Sequence, residues 1–168
     1  QESKEVRLRR EYEIFTPSLY HSDLSIRAEA LKGILHLIEE GESLNWSKDI
    51  DIKQDLRMAV SSSLSKYSPL LPIFIKECLS SKSSAVKQIA LAVTMLAPPF
   101  SNESTECITD YSTLLIESLL SPPGLTRGLA FYSFFSQYQF TKNFEQFDVK
   151  RIVEVMLENA SRNDEIKE

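Results

Sequence analysis

Histidine and cysteine do much of the nucleophilic and soft-metal chemistry of proteins, and this 168-residue chain holds two of each. His21 falls among turn residues, and His36 lies on the helix face turned away from Leu35 and Ile38; the two are not at i, i+4 spacing. Cys78 and Cys107 each sit inside an apolar, helix-patterned run, where a free cysteine packs as a small hydrophobe. Two cysteines without further ligands make neither a zinc site nor a disulfide framework, and their placing fits a reducing compartment. The sequence contains no glycine-rich phosphate loop, no Cys-x-x-Cys and no His-Glu pair. The expectation is a chain that is not an enzyme, with no catalytic residues, no metal, no cofactor and no small-molecule substrate.

The elements that must position any working side chain follow from composition. Four glycines, at 33, 41, 124 and 128, are far fewer than average usage of roughly 7% would give. A β-rich or α/β enzyme spends more glycine on turns and phosphate loops, so the chain reads as all-α. With 42% hydrophobic and 26% charged residues it can bury a core. A net charge of −5 has the wrong sign for an affinity built on neutralising phosphates, which disfavours nucleic acid as a partner of this stretch. No run reaches the ~18 apolar residues needed to cross a bilayer, and QESKEVRLRREYE has no apolar signal core. No membrane partner and a cytoplasmic or nuclear location are therefore expected. The start at Gln fits a single helical domain over 1–168, with a polar tail over 162–168, taken from a longer protein.

Apolar residues at a period of 3.6 predict helices over 3–15, from a cap at Asp23 to Gly41, over 51–65, from Pro69 behind a Ser68 cap to Leu79, and over 84–97, 105–120, 125–138 and 147–161. Pro17, Pro98-Pro99 and the turn SPPG separate them. The helices over 84–97 and 125–138 are apolar nearly all round, the pattern of a helix packed on several sides. The last, striped by Val149, Ile152, Val153, Met156 and Leu157, has no following partner helix.

Three stretches align without gaps: FTPSLYHSDLSIRAEALKGILHL from Phe15, FIKECLSSKSSAVKQIALAVTML from Phe74 and LLIESLLSPPGLTRGLAFYSFFS from Leu114. Each reads as a helix end, a short turn, a base, and a helix rich in small and apolar residues. Ile26-Arg27, Val86-Lys87 and Thr126-Arg127 stand in register, as do Ala30, Ala90 and Ala130. This pattern resembles the HEAT and armadillo-like helical repeats, in which a Val-Arg pair opens the second helix of each hairpin and an Asp precedes that Arg by four positions. Asp23 matches that Asp; Ser83 and Pro123 replace it in the other units. The resemblance implies a right-handed α-solenoid of about three helical hairpins. The 60-residue step from Arg27 to Lys87, against 40 from Lys87 to Arg127, adds one inserted helix, assigned to 51–65. A rival reading makes DLRMAV, with Arg57, a degenerate second helix, against which 41–50 is too short and polar to supply its partner.

The function expected is a non-catalytic protein–protein interaction scaffold within a larger intracellular complex. A peptide or helix would lie in the groove of the second helices, read by Lys32, His36, Gln88, Thr94, Ser133 and Gln137. The bases Arg27, Lys87 and Arg127 form either a structural ladder or a strip facing a partner. The strip would make the chain a nucleic-acid-associated repeat; a purely structural arm of a larger protein is the further alternative. Trp46, alone among polar loop residues, is either an interface anchor or a plug on the helix over 51–65. In the run FYSFF, Phe131, Phe134 and Phe135 are expected inside, leaving Tyr132 and Tyr138 for a contact surface.

Overall fold

The structure is a computed structural model that describes residues 2–61, 70–96, 103–140 and 150–158. These residues form helices and contain no strand. The helices are α1 (Lys4–Phe15), α2 (Leu24–Glu40), α3 (Ile52–Ser61), α4 (Leu70–Ser80), α5 (Ser84–Leu96), α6 (Thr105–Leu119), α7 (Gly124–Phe140) and a helical stretch over 150–158. A 3₁₀ turn over Thr16–Tyr20 joins α1 to α2, with Pro17 in its first turn. The expected Ser68 cap, the Pro98-Pro99 stop and the tail over 162–168 lie outside the described residues.

Capping sets the boundaries. Asp23 accepts a hydrogen bond from the Ser25 N–H at 2.8 Å, and the Gly41 N–H closes α2 on the Leu37 carbonyl at 2.9 Å. Ser3 and Ser104 cap α1 and α6 in the same way. The start of α5 uses a longer-range device. Glu42, beyond the end of α2, accepts from the Ser83 hydroxyl at 3.0 Å and from the Ala85 N–H at 3.1 Å. A carboxylate thus reaches the α5 N-terminus although Ser83 replaces the aspartate of the first unit.

Packing places α2 against α4 as α4 lies against α6, and α3 against α5 as α5 lies against α7. The helix expected as an insertion therefore sits beside α5, while α2 lies beside α4 and touches α5 less. Within DLRMAV, Leu56, Ala59 and Val60 are buried against the neighbouring helices. Helix α1 and the 3₁₀ turn cover α2, and Leu19 of that turn is fully buried. In the last stretch Ile152 and Val155 are buried and Met156 packs partly buried against the core, whereas Val153 and Leu157 of the expected stripe are exposed; Val149 lies outside the described residues.

Candidate partner-binding site

Trp46 does not present its ring to a partner. It is 2% exposed and packs edge-on to Tyr12, ring centroids 6.1 Å apart. A Cβ on Gly41 would run into the indole, so glycine at this position is what lets the loop fold back. Arg9 Nε donates to the Trp46 carbonyl at 2.7 Å, and Tyr12 donates its hydroxyl to the Asp55 carboxylate across to α3. Burial and that carboxylate both push the Tyr12 phenol well above its ordinary range. Trp46 is a plug between α1, α2 and the loop leading to α3, for the plain reason that an indole this large removes more apolar surface from water than any other loop residue.

The three in-register bases differ in their surroundings. Arg127 donates to the carbonyls of Ser121 (2.9 Å) and Pro122, so its guanidinium closes the SPPG turn. Arg27 is half-buried at the start of α2, with its Nε out of reach of any acceptor among the described residues. Lys87 is half-buried at the start of α5. Arg27 stands on the helix beside α4, while Lys87 and Arg127 stand on the packed pair α5 and α7.

Lys32 and His36 do converge. With Leu35 and Glu39 of α2, Glu77 and Ser80 of α4, and Ser81 just beyond its end, they line an open groove of about 300 Å³. Lys32 Nζ lies 3.8 Å from Glu77 and 3.7 Å from Glu29, and Ser81 donates to Glu39 at 3.4 Å. The groove presents opposite charges side by side, with Leu35 beneath them. A wider recess of about 520 Å³ lies over 47–53 and Ile89, where Lys48 and Lys53 are offset by Asp49 and Asp51.

Helix α7 is inverted with respect to expectation. Its inner face carries Thr126, Ser133 and Gln137, all buried. Ser133 Oγ lies 2.6 Å from both the Tyr111 hydroxyl and Thr94 Oγ1, and Thr94 donates to the Leu91 carbonyl at 3.0 Å. With one proton on each hydroxyl, the order that satisfies every oxygen runs Tyr111 to Ser133 to Thr94 to the backbone. Gln137 Nε2 donates to the Thr94 carbonyl at 2.6 Å, and Gln88 Nε2 to Thr126 Oγ1 at 3.1 Å. Thr94, Ser133, Gln137 and Gln88 therefore spend these groups on helix-to-helix contacts and not on a partner.

The outer face of α7 is apolar. Leu125 (64% exposed), Phe131 (47%), Tyr132 (62%), Phe135 (52%) and Tyr138 (39%) lie on it, with Gly128 between the first two. Phe131 and Phe135 stack with centroids 6.3 Å apart and planes 7° apart, and only Phe134 of the expected three phenylalanines is buried. The reason is the pair of neighbours: α5 and α6 take the Ser133 side of the helix, and the opposite side meets neither.

No family model, curated protein or solved structure matches the chain.

Both thiols are buried, and burial pushes Cys107 up to about 12 and Cys78 higher still. Glu42, Glu39 and Glu77 were not singled out from sequence, since carboxylates on polar helix faces are abundant. Only the α2–α4 contact gathers the last two into one groove with Lys32 and His36. Leu125 and Gly128 escaped because an apolar stripe at helical spacing reads as core whichever way it faces.

Proposed function

We propose that the chain is a non-catalytic protein-interaction scaffold of the helical-repeat kind, a right-handed solenoid segment in which α2, α4 and α6 form one row and α3, α5 and α7 the other. The observation that supports this most is the stepwise packing of α2 on α4 on α6 and of α3 on α5 on α7. Such stacking makes long open grooves between neighbouring helices and needs no enclosed pocket. On this reading α1 is the extra helix and covers the first step. The α2–α4 groove, with Lys32, His36, Glu39 and Glu77 over Leu35, is the recognition strip for a peptide or helix of mixed charge.

The test is retrieval of a binding protein by the immobilised chain, repeated with His36→Glu/Lys32→Glu and with Tyr132→Asp, all checked for native circular dichroism. The reading expects one reproducible protein, lost with the groove variant and kept with the α7 variant. Retention by the groove variant, or salt-sensitive nucleic acid in place of protein, would contradict it.

A further inference from the structure

The outer face of α7 has the spacing of a surface made to meet itself. From the N-terminal end it reads Leu125, Gly128, Phe131 with Tyr132, Phe135, Tyr138, and the same intervals are met from the C-terminal end. Two copies of α7 laid antiparallel, with a twofold axis between Phe131 and Tyr132, place Phe135 of each over Gly128 of the other. Leu125 then meets Tyr138, and Phe131 meets Tyr132. Gly128 is the hole this arrangement needs: a Cβ there would find no atom within 4 Å among the described residues, so no contact with them accounts for glycine at the fifth residue of a long helix. Glycine is the least favourable helix-interior residue after proline, and a partner knob gives it a use.

Charge permits the same pairing. Arg127 is the one charged residue of α7, so the face brings no like charges together, and antiparallel packing sets Arg127 near the negative C-terminal end of the other helix. The exposed parts of these side chains amount to roughly 500 Å² per copy, given aromatic side chains of ~150–250 Å². Two copies would bury roughly 1,000 Å², the lower bound for a specific interface. On α1, by contrast, the exposed Val6 and Ile14 are accompanied by Arg10 and Glu13.

We infer that the chain forms a twofold homodimer through the outer face of α7, with Phe135 of each copy seated over Gly128 of the other. This stands independently of the groove between α2 and α4. Sedimentation of the whole chain across a concentration series should show a monomer–dimer equilibrium with a Kd on the order of 10 µM, as a small interface implies. Phe135→Asp should weaken it at least ~10-fold, a 1.4 kcal/mol effect. Gly128→Leu should weaken it as much by filling the hole, while leaving the monomer's melting temperature equal or higher. A chain monomeric to several hundred micromolar, a dimer indifferent to both substitutions, or association that continues past two copies would each overturn the proposal.

Discussion

The two flanks of the helix stack treat their apolar surface in opposite ways. At the N-terminal flank, α1, Leu19 and Trp46 cover α2, and the covering layer is tied down by Arg9 on the Trp46 carbonyl, Arg7 on Glu40 and Tyr12 on Asp55. At the α7 flank hydroxyls and amides share the buried face with Ala130 and Phe134, while Phe131, Tyr132, Phe135 and Tyr138 face outward. Hydrophobic burial thus closes one side. On the other, a hydrogen-bonded seam fixes the register of α5, α6 and α7 and leaves the aromatic area for another surface. A helix can be as apolar as α7 for reasons unconnected with its own chain's core.

Substitutions that disturb one flank and spare the other sharpen that contrast. The largest effect is expected for Trp46→Ala, which empties a fully packed site and should cost about 3–5 kcal/mol in urea unfolding. Ser133→Ala comes next: it removes the hydroxyl that bridges Tyr111 and Thr94 in the buried seam, at about 1–3 kcal/mol. Two glycines should then diverge in sign. Gly33→Ala drives a Cβ to 2.6 Å from the Phe15 ring and should destabilise by about 1–2 kcal/mol, whereas Gly128→Ala meets open space and should stabilise the monomer by up to about 1 kcal/mol. A last effect is absent at neutral pH. Tyr12, Tyr111, Cys78 and Cys107 all have folded pKa values raised by burial, so the folded chain holds protons that the unfolded chain releases above about pH 8.5–10. Their contribution is fully present below that range and is lost as pH climbs toward the folded values. The melting temperature should be level to about pH 8.5 and fall beyond it, less steeply in Tyr111→Phe.

Helix positions were legible because caps and breakers act locally. Asp23, Gly41 and Pro17 each mark an end that the structure keeps. Which helix lies beside which was less so: the gapless alignment equated α2 with α5 and α7, yet α2 lies chiefly beside α4, and α3 beside α5. Sequence register records local hairpin chemistry, such as Asp23 at a helix start, while stacking depends on where the eleven-residue loop over 41–51 lets α3 go. Among the candidate site residues, Lys32 and His36 stayed at the surface together because they share a polar face one turn apart. Trp46 could be read as plug or anchor because a loop has no periodicity to say where its ring points. Phe131 and Phe135 were misread because periodicity reports an apolar stripe and not what covers it.

The most direct test sets the two flanks side by side by thermal melting of Phe135→Asp and Trp46→Ala at a concentration where the chain is monomeric. The account predicts that an aspartate in the middle of the aromatic face leaves the melting temperature within about 3 °C of the parent, while loss of the indole lowers it by roughly 10 °C or more. A fall for Phe135→Asp as large as that for Trp46→Ala would show that the α7 face is core after all.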